Sequence, residues 1–477
     1  MATPRSSIAK DIGLPHWGLR LSERRALLIT GDVVCAGLGL LLALWLWTLT
    51  SGAQFSAEYL ASKAIWAVVL VPAWLLLSGG LYDLRRAAFW PATLAGLLSA
   101  AGASLVLYLV IYFLAPLGLL PRLVVLYFVV ATAAFELAWR TVYIRVFVST
   151  YFQRRALVVG AGWAGQAIIR ALSEFQAWHY TVVGLIDDDP AKQGQVIEGV
   201  PVFGGYDRLL AAAHAEQVSE LILAINGEVR GELFQALLDC QAHGVPIVRV
   251  LRLYEQITGR VPIERLEADW LVTSFMERVR LDTVFLFTRR LLDLAGALLG
   301  LLPLLLVLPW VALLIRLESP GPIFYRQVRA GLGGRPFRLL KFRTMIAGAE
   351  ADGLARWASP SDARVTRVGR FLRRTRLDEL PQVWNVLRGD MSLVGPRPER
   401  PELIAVLERE IPFYRARLLV RPGLTGWAQV NYGYGRSVED ARVKLEYDLY
   451  YIKHQSLWLE AIILLRTVAV VLGMQGS

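Results

Sequence analysis

Cysteine is almost missing from this 477-residue chain, and its two examples, Cys35 and Cys240, lie far apart. That excludes a disulfide framework and any CxxC metal or redox pair. Histidine is also scarce, with His16, His179, His214, His243 and His454 scattered along the sequence. A zinc centre or a paired-histidine mechanism has no foundation here, so any chemistry rests on carboxylates and arginines. Charged residues make up only 19% of the chain against 55% hydrophobic, with a mean hydropathy of +0.45. This is too apolar for an ordinary soluble protein and fits a chain with several membrane segments. Acids are outnumbered, leaving a formal charge of +11. The excess is concentrated: between Arg316 and Arg400, 17 Lys/Arg face 8 Asp/Glu, a balance of +9. Such a stretch calls for an anionic partner, and beside membrane segments that means lipid headgroups or a phosphorylated small substrate, not nucleic acid.

Four apolar stretches occupy the first third, about Leu27–Leu49, Ala64–Leu81, Ala88–Leu114 and Leu123–Val148. Each is near the ~20 residues a helix needs to cross a bilayer. The first is too long for a signal peptide, lacks a cleavage pattern and is followed by further spans. Arg20, Arg24 and Arg25 precede span one, Arg85 and Arg86 lie between spans two and three, and Arg145, Arg154 and Arg155 follow span four. The opposite loops carry only Lys63 and Arg122. Positive-inside bias therefore predicts a multi-pass membrane protein with both ends of the bundle in the cytoplasm. Asp32 and Glu136 fall inside spans, where ionisable groups are costly. The expectation is that Asp32 sits near an interface and Glu136 pairs with Arg140.

A fifth apolar stretch, Leu291–Ile315, contains Pro303 and Pro309, with Arg289 and Arg290 before it and Arg316 after it. Proline removes a helix hydrogen bond. A re-entrant hairpin over 289–316 returns both arginine clusters to one membrane face, where a straight span would separate them.

After the first four spans, "RRALVVGAGWAGQAIIRAL" reads as strand, turn and helix, and Gly160, Gly162 and Gly165 fit GxGxxG. Such a loop lets backbone amides approach a phosphate at a helix N-terminus. "TVVGLIDDDP" is a second strand ending at Asp187, where an acid can meet a ribose. With further strands at "SELILAI" and "VPIVRV", residues 151–262 read as a Rossmann-like α/β domain. A lone GxGxxG is weak. The Tyr-x-x-x-Lys pair of a short-chain dehydratase or epimerase occurs only at Tyr59–Lys63, between two spans. Nucleotide binding and a purely structural role both stay open for this domain.

The stretch "RTRLDELPQVWNVLRGDMSLVGPRPERPE" sets Asp378 beside Glu379 among many arginines. Adjacent acids are most often solvated surface charges, and an arginine-rich helix such as "RVTRVGRFLRRTR" is most often a solvated or membrane-surface face. Here the surroundings matter. With "RRLLDLAGALLG", "ESPGPIFYRQVRAGLGGRPFRLLKFRTM", "TRVGRFLRRTRLDELPQVWNVLRGDMSLVGPRPERPE" and "VRPGLTGWAQVNYGYG", the chain from Arg289 onward resembles the bacterial polyprenyl-phosphate hexose-1-phosphate transferases, or monotopic phosphoglycosyl transferases. Its four spans and α/β domain resemble the large form of that family. "RPERPE" and "QVNYGYGRSVEDARVKLEYDLYYIKHQSLW" are similar to the branch associated with exosortase-linked exopolysaccharide systems.

The resemblance implies transfer of a sugar-1-phosphate from a UDP-hexose to undecaprenyl phosphate with release of UMP, as the first membrane step of exopolysaccharide, O-antigen or capsule assembly. It implies Asp378 as nucleophile and Mg²⁺ contact through a covalent phosphosugar intermediate, and Glu379 as its partner in metal binding or proton handling. It further implies Arg397 of "VGPRP" as phosphate holder, with Arg373, Lys341 and Arg343 as secondary candidates. Family members commonly break their hairpin at Ser-Pro; the corresponding positions here are Leu305 and Leu306, flanked by Pro303 and Pro309. Trp427, Tyr432 and Tyr434 are candidates for base stacking, weighed against interfacial anchoring or packing. The expected architecture is a four-span bundle (1–150), the Rossmann-like domain (151–262), a linker (263–285) and a mainly α-helical catalytic domain with a membrane hairpin on the cytoplasmic face (286–477). Homodimerisation stays open. The competing readings are a membrane-bound nucleotide-sugar dehydratase or epimerase using the Gly160 loop, and a non-catalytic scaffold for polysaccharide assembly.

Overall fold

The computed structural model describes residues 21–472 apart from 53, 83, 115–121, 149–151, 176–178, 226–228, 230, 264–282, 347–363, 434 and 436. Arg20, Tyr434 and nearly all of the expected linker lie outside the described residues. The molecule is a membrane α/β protein that divides into two compact units, Met1–Thr258 and Gly259–Ser477.

The first unit opens with four long helices, α1 (Leu21–Ser51), α2 (Ala57–Leu77), α3 (Trp90–Leu114) and α4 (Arg122–Phe147). Helices α1, α2 and α4 are each long and apolar enough to cross a membrane. Glycines bring α1 against α4: a Cβ at Gly31 would lie 2.2 Å from the Trp139 ring and one at Gly39 2.1 Å from Thr132 Oγ1. Small residues allow this approach where lipid supplies no hydrophobic drive between helices. The buried ion pair differs from expectation. Arg140 bonds Asp32 Oδ2 at 2.5 Å and the Leu81 carbonyl at 3.2 Å, while Glu136 accepts from Trp74 Nε1 at 2.9 Å. Asp32 is fully buried, because α1 and α4 pack against each other and bring Arg140 to it across the seam.

Next come β1 (Arg154–Val159), α5 (Trp163–Glu174), β2 (Tyr180–Ile186), β3 (Val196–Ile197), β4 (Val200–Gly204), α6 (Leu209–Ala215), β5 (Glu220–Leu223), α7 (Gly231–Ala242), β6 (Ile247–Arg249) and α8 (Val250–Thr258). They form a six-stranded sheet of order β3-β4-β2-β1-β5-β6, parallel except at β3. Alternation along β1 explains the layers: Ala156 and Val158 pack under α5 and α8, and Leu157 and Val159 under α6 and α7. A central parallel strand buried on both faces has to be apolar throughout.

The second unit is mainly helical. Helix α9 (Thr283–Glu318) contains both Pro303 and Pro309. The hairpin β7 (Phe324–Ala330)–β8 (Pro336–Phe342) turns through Gly333 and Gly334, both at positive φ. Then follow α10 (Arg367–Arg374), a 3₁₀ segment Leu377–Gln382, α11 (Val383–Arg388), β9 (Ser392–Val394), α12 (Pro401–Glu410), a 3₁₀ segment Tyr414–Leu419, β10 (Gly423–Thr425), α13 (Trp427–Asn431), α14 (Val438–Lys453) and α15 (Leu457–Leu472). Strands β9 and β10 pair in parallel. Two of the unit's hydrophobic clusters frame the site. One sets α9 on β8, α10 and α11, and the other packs α12 and α14 under β7.

Candidate active site

Period-three spacing builds the site. Leu377, Leu380 and Val383 recur every third residue and pack into the α9 core, as the three-residue turn of a 3₁₀ helix requires. Arg376, in the left-handed region at φ 60°, starts that turn. With the leucines turned to α9, Asp378 and Glu379 lie off that face, and each is less than a tenth exposed. Asn385 fastens the segment to β8, accepting from Leu340 N at 3.0 Å and donating to Arg338 O at 2.8 Å, as a neighbouring strand would.

The two acids have different surroundings. Lys341 Nζ of β8 reaches Glu379 Oε1 at 2.8 Å, and Arg397 Nη2 reaches the same oxygen at 2.5 Å. Asp378 makes no hydrogen bond or ion pair among the described residues. Burial raises the pKa of both carboxyls. For Glu379 the charges of Arg397 and Lys341 outweigh burial and hold it well below the usual carboxylate range. For Asp378 burial dominates and the Glu379 charge adds to it, so the group sits above its ordinary value despite Lys341, Arg397 and Arg373 nearby.

The Arg397 loop is set by glycine contacts. A Cβ on Gly395 would lie 2.4 Å from Arg421 O, and one on Gly426 would lie 2.2 Å from Gly395 O. These backbones therefore meet directly, with Gly395 N donating to Thr425 O at 2.8 Å and Gly423 N to Pro396 O at 2.9 Å. Arg373, in the last turn of α10, donates to Thr344 Oγ1 at 2.9 Å. The start of α10 is capped from the end of α9, where Glu318 accepts from Arg367 N at 2.6 Å and Val368 N at 2.9 Å.

The structure thus brings Asp378, Glu379, Lys341 and Arg397 together, with Arg373 near enough to act on Asp378 electrostatically. It takes Arg343 elsewhere: the guanidinium is buried and donates to Ser319 O at 2.5 Å and Pro320 O at 3.0 Å, holding the chain as it leaves α9. Trp427 is stacked on Tyr450 at 5.7 Å and donates to Gly259 O, while Tyr432 donates to Asp440. Both contacts are packing contacts. Sequence reasoning passed over Arg417, Asp448, Tyr414, Asn385 and Arg329. One signal was present: Asp448 stands alone among Tyr447, Leu449, Tyr450 and Tyr451, a charge in an otherwise buried run.

In the first unit Gly160 has φ 108°, and a Cβ on Gly165 would lie 2.1 Å from Gly160 O, so both glycines are needed for α5 to start tightly on β1. Gly162 caps α5 in open space. Asp187 follows β2 directly. Its Oδ2 accepts from Ala161 N at 2.7 Å, and its oxygens pair with Lys192 at 3.2 Å. These contacts tie the Gly160 loop to the loop that follows β2.

Fold and site together describe a membrane protein with a buried carboxylate pair among cationic side chains. A family model described as bacterial sugar transferase matches residues 284–474, and one described as CoA-binding domain matches 77–250. The chain is 35% identical to the UDP-glucose:undecaprenyl-phosphate glucose-1-phosphate transferase of Escherichia coli (strain K12), over 67% of this chain and 68% of that protein. It is 42% identical to the UDP-N-acetylgalactosamine-undecaprenyl-phosphate N-acetylgalactosaminephosphotransferase of Aeromonas hydrophila, over 52% of this chain. To the UDP-glucose:undecaprenyl-phosphate glucose-1-phosphate transferase of Xanthomonas campestris pv. campestris it is 36% identical over 59% of this chain. The chain covers 58% of the length of each of these last two relatives. It belongs to the bacterial sugar transferase family.

Proposed function

We propose that this protein transfers a sugar-1-phosphate from a UDP-sugar to undecaprenyl phosphate and releases UMP. The observation that carries the reading is the unlike pair: Glu379 is bound by Lys341 and Arg397, while the adjacent buried Asp378 has no partner among the described residues. An Asp378 oxygen attacks the phosphorus that bears the sugar, that phosphorus parts from the UMP oxygen, and UMP leaves with the electron pair. A phosphate oxygen of undecaprenyl phosphate then attacks the same phosphorus, the bond to Asp378 breaks, and the carboxylate is restored. Glu379 keeps Lys341 and Arg397 aimed into the site, and the two cations with Arg373 offset the repulsion between a carboxylate and a diphosphate.

Magnesium fits this donor set in one way. Mg²⁺ is commonly held by one or two carboxylates plus substrate phosphates, and Asp378 is the carboxylate with free oxygens while those of Glu379 face two cations. When bound, the ion would neutralise diphosphate charge.

Helix α9 supports the re-entrant reading. Near its start Arg289 donates to Val394 O at 2.7 Å and Asp293 accepts from Leu393 N at 2.8 Å; at its end Glu318 caps α10. Both ends dock on the one unit, while Leu302, Leu305, Leu306 and Trp310 between them are exposed. The helix runs unbroken through Pro303 and Pro309, and a kink at either proline would let its middle dip into lipid and return. The strand order supports a Rossmann-like domain in a structural role, since Asp187 is already occupied. A multi-pass inner-membrane placement with the site in the cytoplasm follows from the arginine bias.

The test is full-length protein in membranes with Mg²⁺, undecaprenyl phosphate and labelled UDP-glucose, UDP-galactose, UDP-N-acetylglucosamine and UDP-N-acetylgalactosamine. Label is expected in the lipid phase with equimolar UMP. No lipid-linked label from any of the four would overturn the reading, and transfer surviving Asp378→Asn would remove the nucleophile assignment.

A further inference from the structure

Arg397 reaches into the site from a loop that hydrogen bonds hold at several points. Its ends are tied by the Gly395–Thr425 and Gly423–Pro396 backbone bonds. Its middle is tied by two arginines from different elements. Arg329 of β7 donates to Pro398 O at 3.0 Å, and Arg417 donates through Nη2 to Arg397 O at 3.0 Å.

Arg417 is buried, and both of its terminal nitrogens are engaged. Nη1 donates to Tyr414 Oη at 2.6 Å and Nη2 also reaches Asp448 Oδ2 at 2.9 Å, with Glu399 Oε1 at 3.9 Å. A buried ion pair is a poor device for stability alone, since apolar groups of the same volume often do as well. What the pair adds here is direction. A planar fork held by Tyr414 and Asp448 presents one N–H to the carbonyl of the residue that grips Glu379.

We propose that Arg417 is a positioning residue for the transfer, fixing the Arg397 backbone so that its guanidinium meets both Glu379 and the reacting phosphate, with Asp448 and Tyr414 holding Arg417. This rests on the phosphate-holding role of Arg397 given above. It brings helix α14, far from the carboxylate pair in sequence, into the catalytic apparatus.

A double-mutant cycle in the full-length membrane protein tests it, with kcat/KM for UMP release and Tm measured on each variant. Arg397→Lys and Arg417→Lys are each expected to lose about tenfold in kcat/KM. The double variant is expected within about twofold of Arg397→Lys alone, because Arg417 acts through Arg397. Losses that multiply to about a hundredfold, with Tm falling equally in both backgrounds, would mark Arg417 as merely structural and overturn the proposal. An unimpaired Arg417→Lys would overturn it as well. If Arg397→Lys itself transfers normally, the role of Arg397 fails first, a result distinct from failure of the clamp. Should Arg417→Lys not fold, Asp448→Asn carries the same cycle, with the same non-additivity expected and the same multiplication overturning it.

Discussion

Lys341 and Arg397 both close on Glu379, at 2.8 and 2.5 Å, and neither makes a bond to Asp378. An unpaired buried carboxyl with a raised pKa has a sign that can be worked out. The unfolded chain ionises it more readily, so at neutral pH the folded state bears a cost that is relieved as pH falls into the window between the ordinary aspartate value and the raised one. Asp378→Asn removes the cost, and is expected to abolish transfer by at least about 10³-fold while leaving Tm unchanged or higher; a fall in Tm would show that the carboxylate was paired. Glu379 has the opposite sign. Its folded pKa is depressed, so its contribution is present above the ordinary glutamate value and lost as pH falls through the depressed one. Denaturation curves of Glu379→Gln should lack that acid-range loss and show lower stability at neutral pH. In wild-type kinetics, log kcat/KM should fall with unit slope as pH drops into the acid range, because the nucleophile must be ionised. The motif made both acids legible in the sequence. Which of them is paired was not, since the partners come from positions 38 and 18 residues away and depend on how β8 and the Arg397 loop fold back.

Elements place these residues through a few polar contacts. Asn385 substitutes for a strand at the edge of β8, so Asn385→Ala leaves Leu340 N and Arg338 O without partners and is expected to cost about 1–3 kcal/mol in denaturant unfolding. Helix α9 was legible as an apolar stretch with two prolines and arginines at both ends. The structure adds that Arg289, Asp293 and Glu318 are anchors and not simply headgroup contacts. Cysteines placed at the exposed Leu286 and Leu317 should both react with an impermeant thiol reagent from the cytoplasmic side only, and labelling from opposite sides would refute a returning helix. Native background is low, because Cys35 and Cys240 are both buried. Arg343 shows why a basic motif overstates a site: "KFRTM" offers two cations, and the β8 register sends Lys341 to Glu379 and leaves Arg343 to cap the turn after α9.

Across the whole molecule, every residue assigned to the transfer lies in the Gly259–Ser477 unit, including Arg417 and Asp448. A chain beginning at Gly259, expressed in membranes, is therefore expected to keep transfer within about tenfold, and complete loss would place an essential element before that point. The strands of the α/β region could be read from their short apolar runs, because each strand's pattern is local. The pairing inside the membrane bundle could not, because composition alone does not say which of two acids an arginine finds. The answer, Asp32 with Arg140, has a consequence for how the protein is made. The partners are 108 residues apart, so α1 is synthesised long before α4 exists. An unpaired ionisable group in a bilayer costs about 2.5–3.5 kcal/mol on insertion scales. Helix α1 therefore carries an uncompensated acid until the bundle's last helix is present.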